Sequence, residues 1–600
     1  MTFNLQGFPW KRLIMVGKPF WTSEYKWRAL GLLGGALACV IAKIVLTVYV
    51  NDTNGAVWSA LKDGNSDNFW WYFAMNVALI VALMPTDVMG NVFKTTLALL
   101  WRGFLSGVFF AGYFVGLAAL RLEQHNQAQP EDKRIDNPEW RMTAECDSFA
   151  NTTIGLFFSF FDAFLTIGTM GHVLWTMSPM LTGTNIAYAL AGSLVVYFLG
   201  RRLVNLTAQQ QKTEGDLRSG LTEARNQAGL IALYRAQDIA LGLANNRQRA
   251  VIDTLMDMMR VNRNMQFFTS LYYPLAPLIP LGIMGMLYLH DRSLDFGTIA
   301  KAQGTFNSMF GGMSVLVGQF GALSFYTAIV NRLGTLLEFF RKTGIEKLPA
   351  DKFIQIVEDK QISLDLSVTN PDGNSLLIDK LKMVLKPGES VLIRGPQASG
   401  KSALLGAIIG TWPFGKGTVG RPADKDVMII TQQPFMQPMT LVQALTYPET
   451  DATQADKSRL AEILRLVDLG DLIDKDKRNL DFDTVYNWRE ILSLSQQQRL
   501  GLARIINKKP LYCLVDEASN AMEAENEKLL FTLFKSLGTT YLTASNGADL
   551  VKYHSWVLEI NDGGSWKLVP AADYEPKVWR SLEKFLPRFL IGSSAVNPIA

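Results

Sequence analysis

The segment "GPQASGKS", residues Gly395–Ser402, has the spacing GxxxxGK[ST], which is typical of loops that bind phosphate groups. It follows the apolar stretch "VLIR" and precedes the helix-like stretch "ALLGAIIG", the order that this motif requires. Lys401 is predicted to pair with the β- and γ-phosphates, and the Ser402 hydroxyl to ligate Mg²⁺. Such a loop wraps backbone N–H groups around phosphate oxygens, so we expect a nucleotide to contact Gly395, Pro396, Gln397, Ala398, Ser399 and Gly400.

Two carboxylates stand at the end of another apolar segment, "LYCLVDE" (Leu511–Glu517). The apolar residues predict a buried strand that carries the carboxylates at its end. Asp516 is predicted to hold Mg²⁺ through water, and Glu517 to orient or deprotonate an attacking water molecule. Together with the phosphate-binding loop, this segment predicts a site that binds and hydrolyses ATP.

The elements that must position these residues begin at about Leu348. From there, short β-rich runs alternate with helical segments; the runs include Ser390–Gly395, Asp426–Thr431 and Leu511–Glu517. This alternation predicts an α/β domain with a mostly parallel sheet. We place it at residues 348–570, followed by a short tail at 571–600.

The preceding part of the chain is far more apolar. The chain is 48% hydrophobic and has a positive mean hydropathy, and the excess lies in its first half. A helix needs about 20 apolar residues to cross a bilayer, and the candidate runs are Ala29–Tyr49, Trp70 to beyond Pro85, Ile154–Leu181, Ile186–Leu199, Phe267–Leu289 and Met309–Val330. We therefore predict a helical transmembrane domain of six spans at residues 27–340. Its long polar stretch between spans four and five, about Arg201 to Asn264, is predicted to form long helices that project into the cytoplasm.

Charge gives the predicted orientation. The first 28 residues carry five basic residues and one acid, whereas the loop after the first span carries Asp52, Asp63 and Asp67 against Lys62. Basic residues concentrate on the cytoplasmic side, so residues 1–26 are predicted to be cytoplasmic. An ATP-using domain must be cytoplasmic too, which requires an even number of spans. We accordingly predict that Phe104–Leu120 is a cytoplasmic or half-inserted helix joining spans two and three.

Composition excludes several other classes of protein. A net charge of +4 over 600 residues is too small to favour nucleic acid as a partner. The three cysteines, Cys39, Cys146 and Cys513, are too few and too scattered to predict a disulfide framework or a metal site. No short apolar segment with a cleavage site stands at the amino terminus, so we expect no secretory signal peptide.

The nucleotide motifs resemble those of ABC ATPases. The segment "TQQPF" (Thr431–Phe435) resembles the Q-loop, which implies that Gln432 senses the metal and the attacking water. The segment "LSLSQQQRLGLAR" resembles the signature, which implies that Ser493 and Ser495 contact the nucleotide. The segment "DEASNAME" resembles Walker B running into the D-loop, and "TASNGADLVKYH" resembles the switch region, with Asn546 at its catalytic position.

The apolar half agrees with this resemblance. It contains the segments "KPFWTSEYKWRALGLL", "DNPEWRM", "EGDLR", "IALYR" and "LDFGTIAKAQGTF". These are similar to one branch of ABC proteins, the bacterial SbmA/BacA-like transporters with a fused ATPase, which is related to peroxisomal subfamily D. The resemblance covers roughly residues 10–570.

The resemblance implies a half-transporter of the exporter-like, type IV fold, with ATP and Mg²⁺ as cofactors. Two chains would enclose two ATP molecules, each site combining Walker A, Walker B, Q-loop and switch of one chain with the signature and D-loop of the other. We expect a homodimer in a bacterial inner membrane, with a heterodimer as the alternative. The cargo implied is a peptide-like or hydrophobic solute, and because the branch includes importers of peptides and cobalamin, the direction of transport is open.

The sequence departs from the family at several positions. Ser495 stands where the second signature glycine is usual, and Asn546 stands where a switch histidine is usual. A side chain at a close approach of backbone to phosphate is expected to weaken closure of the site. Asn546 donates a hydrogen bond but carries no positive charge. Milder departures are Leu494 in the signature, Glu523 in the D-loop, the absence of an aromatic residue in Gln361–Ser390, and Asn226 and Gly229 at two usually acidic positions.

Two functional hypotheses follow. Slow ATP hydrolysis is compatible with the retained Lys401, Ser402, Gln432, Asp516 and Glu517. The alternative is a membrane subunit that binds ATP without useful hydrolysis, as a regulatory partner or as a permease driven by a proton gradient. Charged residues inside predicted spans are costly and often functional. Asp162 and Asp87 fit either substrate or proton handling or a structural pairing. Lys43 lies near the outer end of the first span and is expected to snorkel.

Overall fold

The computed structural model describes residues 9–130, 134–290, 295–345, 353–371, 373, 375–431, 434–449, 455–516 and 524–575. These residues form two compact units. The first comprises the described residues of 1–119 and 135–345, and the second those of 120–134 and 346–600. The first unit is helical, whereas the described strands all belong to the second.

Long helices dominate the first half of the chain, because its apolar runs are rich in residues that favour helix. A π-helical turn, Arg141–Glu145, joins the short helix Pro138–Trp140 to the long helix Cys146–Met177. The bounds of the helices are α1 (Trp10–Trp21), α2 (Lys26–Lys62), α3 (Ser66–Phe114), α4 (Ala118–Ala128), α5 (Pro138–Trp140), α6 (Cys146–Met177), α7 (Pro179–Asn226), α8 (Ala228–Leu233), α9 (Gln237–Leu275), α10 (Leu278–His290), α11 (Phe296–Gly318) and α12 (Phe320–Ile345).

Several of these helices have the length and composition of membrane spans. Among the described residues, five segments qualify: Lys26–Lys62, Ser66–Phe114, Pro138–Met177, Pro179–Asn226 and Gln237–His290. The predicted third span, Ile154–Leu181, is not one helix, because α6 ends at Met177 and α7 begins at Pro179. Ser178 ends α6 and caps α7, since its hydroxyl accepts a hydrogen bond from the Leu181 N–H at 3.4 Å.

Two predicted segments differ from the structure. Phe104–Leu120 does not form a separate joining helix, because its residues as far as Phe114 continue α3 without a break. Met309–Val330 is not one helix either: α11 ends at Gly318 and α12 begins at Phe320. Its apolar residues are therefore divided between two helices with polar outer portions, and neither helix is among the five candidates.

Two charges that the sequence places inside predicted spans lie beside each other. Lys43 Nζ on α2 and Asp87 Oδ1 on α3 are 3.7 Å apart, and both side chains are substantially exposed within this chain. An opposite charge lowers the cost of placing an ionised group in an apolar environment. This geometry favours the structural interpretation of Asp87 and pairing, rather than snorkelling, for Lys43.

Helices α2 and α11 approach each other closely at two glycines. A Cβ atom on Gly297 would lie 2.1 Å from the Gly55 carbonyl oxygen, and a Cβ on Gly55 would lie 2.8 Å from the Gly297 carbonyl oxygen. Lys301 Nζ and Asp52 Oδ1 form an ion pair of 2.6 Å between the same helices. Glycines allow helix backbones to pack this closely, so the crossing depends on the absence of side chains.

We expect Gly297→Ala to destabilise the first unit by about 1–3 kcal/mol, because the added methyl group must push the two helices apart. The measurement is the thermal unfolding midpoint of the purified chain in detergent. Gly282→Ala in α10 is the matched control, since outside the local helix backbone no heavy atom of the described residues lies within 4 Å of the added Cβ there. Equal unfolding midpoints for the two variants would show that the crossing tolerates separation.

The second unit is built on sheets. The strands that compose them are β1 (Gln355–Glu358), β2 (Ile362–Thr369), β3 (Leu376–Leu385), β4 (Ser390–Arg394), β5 (Gly415–Arg421), β6 (Val427–Thr431), β7 (Met439–Thr440), β8 (Val485–Tyr486), β9 (Tyr512–Asp516), β10 (Thr540–Ala544), β11 (Trp556–Ile560) and β12 (Trp566–Pro570). The main sheet has the order β12–β11–β4–β10–β9–β6 and is parallel except for β12. This confirms the predicted mostly parallel sheet.

A second sheet has the order β1–β5–β2–β3, and β7 pairs with β8. The helices of this unit that follow the first strands are α13 (Lys401–Ile409), α14 (Leu441–Thr446), α15 (Lys457–Leu466), α16 (Trp488–Ile491), α17 (Leu494–Lys508) and α18 (Ala524–Leu537). Two hydrophobic cores cover the faces of the main sheet. Along β9, Cys513 and Val515 belong to one core, and Tyr512 and Leu514 to the other. Burial on both faces explains the continuous apolar run of this strand.

Candidate nucleotide-binding site

The parallel strands of the main sheet bring the predicted site residues to one edge. Asp516 at the end of β9 is aligned with Thr431 at the end of β6 and with Ala544 at the end of β10. Ala544 is in turn aligned with Ile393 of β4, just before the phosphate-binding loop. Ligands of parallel α/β sheets bind outside the carboxyl ends of the strands, and this edge is where the sequence predicts the nucleotide.

The loop Gly395–Ser402 leaves β4 and enters α13, as the motif predicts. Ala398 and Gly400 have φ values of +61° and +96°, so the backbone curls through the left-handed region. A Cβ atom on Gly395 would lie 2.4 Å from the Ile560 carbonyl oxygen, and one on Gly400 would lie 2.9 Å from Leu377 Cβ. Only glycine fits at these two positions, and the loop conformation depends on them.

Lys401 is 5% exposed and is held inside the loop. Its Nζ donates hydrogen bonds to the carbonyl oxygens of Gly395 at 3.0 Å and Pro396 at 2.8 Å. The side-chain amine is therefore fixed next to the concave side of the backbone. A fixed cation in a loop of this shape attracts phosphate oxygens.

Ser402 and Asp516, the two predicted metal residues that the structure describes, are in contact. The Ser402 hydroxyl donates a hydrogen bond of 2.9 Å to Asp516 Oδ1, and Ser402 is exposed. A hydroxyl and a carboxylate are oxygen ligands of the kind that Mg²⁺ prefers. In the same loop as Ser402, the Oγ atom of Ser399 is buried without a hydrogen-bond partner among the described residues. The donor set and this unsatisfied oxygen fit a site for a nucleotide with Mg²⁺.

Asn546, the predicted switch residue, contacts the first residue of the loop. Its Oδ1 accepts a hydrogen bond from the Gly395 N–H at 3.4 Å, and its carbonyl oxygen accepts one from Arg394 at 2.8 Å. Because a backbone N–H only donates, the carboxamide oxygen must face Gly395. The Nδ2 group is then the end of this exposed side chain that is left to donate to a ligand.

The predicted signature residues lie at the start of α17. Ser493 is its N-cap: the hydroxyl oxygen accepts from the Gln496 N–H at 3.3 Å, and the Gln496 side chain accepts from the Ser493 N–H at 3.2 Å. Leu494 is 50% exposed and Ser495 is partly buried. The predicted signature segment therefore forms a well-capped helix amino terminus despite its altered sequence. Gln432, Glu517 and Glu523 lie outside the described residues.

Arg504 is a buried residue of this unit that the sequence analysis did not single out. Its guanidinium donates to the carbonyl oxygens of Ala444 at 2.6 Å and Phe435 at 3.0 Å, and lies 5.3 Å from the ring centre of Tyr447. Burial lowers the pKa of Arg504 to about 10, so it stays charged at neutral pH. Arg504 therefore connects α17 to Phe435, the last residue of the predicted Q-loop segment. The sequence signal that could have identified Arg504 is its position on the apolar face of the amphipathic helix α17.

His554, the last residue of the predicted switch segment, is 7% exposed and has a structural position. Its Nε2 is 2.9 Å from the Thr543 hydroxyl, and its Nδ1 is 2.8 Å from the Leu550 carbonyl oxygen. Burial lowers the pKa of His554 from 6.5 to about 4. The ring is therefore neutral in the folded protein at physiological pH.

We expect this histidine to make the unit sensitive to acid. Above pH 6.5 it is neutral in both states and contributes no pH dependence; between pH 6.5 and about 4, only the unfolded state binds the proton. The free energy of unfolding should therefore fall by about 3 kcal/mol over this interval. Thermal unfolding of the purified chain from pH 7 to 4 measures this, and His554→Gln should remove that part of the decline. A His554→Gln curve parallel to that of the unmodified chain would contradict the assignment.

Comparisons with known proteins agree with this geometry. Residues 19–288 match the family described as ABC transporter transmembrane region 2, and residues 378–520 match the family described as ABC transporter. An uncharacterised ABC transporter ATP-binding protein from Synechocystis is 30% identical over 576 residues, which cover 94% of this chain and 86% of the relative.

Two further relatives have similar coverage. ABC transporter D family member 2, chloroplastic, from Arabidopsis thaliana is 26% identical, over 92% of this chain and 86% of the relative. The inner membrane ABC transporter ATP-binding protein YddA from Escherichia coli is 24% identical, over 86% of this chain and 91% of the relative. Both the helical half and the nucleotide-binding half take part in these matches. The protein thus belongs to the ABC transporter family, with a transmembrane region and an ATP-binding domain in one chain.

Proposed function

We propose that this protein moves a peptide-like or hydrophobic solute across a membrane and uses slow ATP hydrolysis to do so. The observation that carries the proposal is the contact between Ser402 and Asp516 beside the buried Lys401. It joins an intact phosphate loop to a carboxylate that suits Mg²⁺. The described residues of the other half of the chain include five apolar helical segments of spanning length. ATP-driven transport is the activity that membership of the family implies.

In the proposed membrane arrangement, the transmembrane domain is residues 27–340 and the ATP-binding domain residues 348–570. The apolar parts of α11 and α12 together supply a sixth span, in the exporter-like type IV arrangement. Residues 1–26 and the ATP-binding domain face the cytoplasm from a bacterial inner membrane. The basic amino-terminal segment supports this orientation, and the E. coli relative is named as an inner membrane protein.

In the proposed site, ATP supplies the energy for transport when it loses its terminal phosphoryl group. Lys401 and the loop hold the phosphates, and Ser402, Asp516 and Gln432 hold Mg²⁺. Glu517 orients the attacking water, and Asn546 donates from Nδ2 to the terminal phosphate. Ser493 and Ser495 complete the site of the second chain, so the active form is a dimer, most simply of two identical chains.

Hydrolysis is proposed to be slow because Asn546 places no positive charge beside the developing negative charge. Loss of one preorganised donor lowers turnover by about 100-fold to 1000-fold, and Asn546 restores only a neutral donor. In a homodimer both sites carry this change. The same observation favours the second candidate function, a subunit that binds ATP without useful turnover.

ATP turnover of the purified full-length chain in lipid nanodiscs tests the proposal. The chain is compared with Glu517→Gln, and Glu525→Gln on an exposed position of α18 is the matched control. We expect turnover above that of Glu517→Gln and equal to that of Glu525→Gln, with stimulation by some members of a panel of hydrophobic peptides. Turnover no higher than that of Glu517→Gln, with every solute tried, would reject the homodimeric ATPase and support the second candidate.

A further inference from the structure

The hydroxyl of Ser495 in the signature is held by a buried asparagine. Asn526 on α18 is 1% exposed, and its Nδ2 donates to Ser495 Oγ at 3.3 Å. Its Oδ1 accepts a hydrogen bond from Arg499 Nε at 3.3 Å, and Arg499 is paired with Asp468. These side chains form a polar chain that ends at Ser495, at the amino terminus of α17.

The hydrogen bonds that join Arg499, Asn526 and Ser495 can be oriented in only one way. The Nε of an arginine only donates, so the carboxamide oxygen of Asn526 must face Arg499. The carboxamide nitrogen then faces Ser495, and because this nitrogen only donates, the Ser495 oxygen must accept. The hydroxyl hydrogen of Ser495 is therefore left to bond to another acceptor.

The surroundings of Ser495 favour a negatively charged acceptor. Ser495 is in the first turn of α17, a helix of 15 residues whose amino-terminal end carries partial positive charge. Ser493 is in the same situation, since its oxygen accepts from the Gln496 N–H and its hydrogen is left to donate. Two hydroxyl donors therefore stand at one helix end, each with its oxygen fixed by a protein N–H group.

We propose that Ser495 is a donor to the terminal phosphate of ATP in the second chain's site, and that Asn526 is the residue that positions it. This inference rests on the proposed dimeric ATP site. It replaces the expectation that Ser495 obstructs closure of the site. Where a glycine is usual, this protein has a serine whose hydroxyl is already oriented to donate. Asn526 also links the signature to α18, which follows Walker B in the sequence.

Nucleotide affinity tests this role and does not depend on turnover. The purified chain with Glu517→Gln in nanodiscs serves as background, and binding of ATP and ADP with Mg²⁺ is measured for Ser495→Ala, Ser495→Thr and Asn526→Leu. A hydrogen bond to a charged group contributes enough that its loss lowers affinity by about tenfold to 100-fold. We expect that loss for ATP in Ser495→Ala and Asn526→Leu, no change for ADP, and recovery in Ser495→Thr, which keeps the hydroxyl.

The double variant Ser495→Ala with Asn526→Leu should bind ATP no more weakly than Ser495→Ala alone, because Asn526 acts through Ser495. Ser536→Ala, an exposed hydroxyl on α18, is the control, and thermal unfolding confirms that each variant is folded. If Ser495→Ala and Ser495→Gly bind ATP more tightly than the background, Ser495 obstructs closure and the proposal is overturned. Failure of the background itself to bind ATP would instead reject the proposed ATP site.

Discussion

Replacing Lys401 by alanine should lower ATP turnover of the purified chain by about 100-fold to 1000-fold. The Lys401 amine is fixed by two carbonyl oxygens of its own loop, at 3.0 and 2.8 Å. Because it is already oriented before the nucleotide arrives, it stabilises negative charge without the cost of ordering a flexible side chain. Alanine removes this charge, and since alanine favours helix, α13 should still begin at position 401.

A second substitution separates charge from geometry. Lys401→Arg keeps the positive charge, but a planar guanidinium cannot take the place of a compact ammonium group between the two carbonyls. We expect turnover to fall nearly as far as in Lys401→Ala. Turnover close to that of the unmodified chain in Lys401→Arg would mean that charge alone is sufficient.

The measurement is steady-state ATP hydrolysis in nanodiscs, together with ATP affinity and the thermal unfolding midpoint. Lys535→Ala, at an exposed position of α18, is the matched control and should leave all three unchanged. A folded Lys401→Ala variant that hydrolyses ATP as fast as the control would exclude this loop as the site of hydrolysis.

The geometry of the candidate nucleotide site was predictable where its determinants are local in sequence. The loop conformation follows from glycines and a lysine within eight consecutive residues, and the position of Asp516 follows from the apolar strand before it. The contact between Ser402 and Asp516 spans 114 positions. It was still predictable, because parallel strands bring their carboxyl ends to the same edge of the sheet.

The parts that were not predictable depend on contacts between distant elements. Nothing near Ser495 in the sequence identifies Asn526, which is 31 positions away and is set by the packing of α17 against α18. Arg504 resembles a surface residue by type, and only the fold shows the carbonyl groups that it binds. In the membrane half, hydropathy predicted the apolar runs but not the helix ends. Helix α3 continues to Phe114, and Gln319, inside an apolar run, separates α11 from α12.

The other large effect is expected in the opposite direction. Asn546→His should raise ATP turnover by about tenfold to 100-fold, a part of what one preorganised donor contributes. Position 546 already lies against the phosphate loop, since Asn546 Oδ1 accepts from the Gly395 N–H. A histidine at this position reaches further than asparagine and carries a positive charge when protonated, which stabilises the charge that develops as the terminal phosphoryl group leaves.

Asn546→Ala should lower turnover instead, because it removes the remaining Nδ2 donor. Asn546→His combined with Lys401→Ala should hydrolyse ATP far more slowly than Asn546→His alone. This set of variants also separates the two functional hypotheses. A slow but working ATPase gains activity in Asn546→His and loses it in Asn546→Ala. If Asn546→His is folded, binds ATP and still hydrolyses no faster than Glu517→Gln, then the missing histidine is not what limits turnover, and ATP binding without hydrolysis is the better account of this chain.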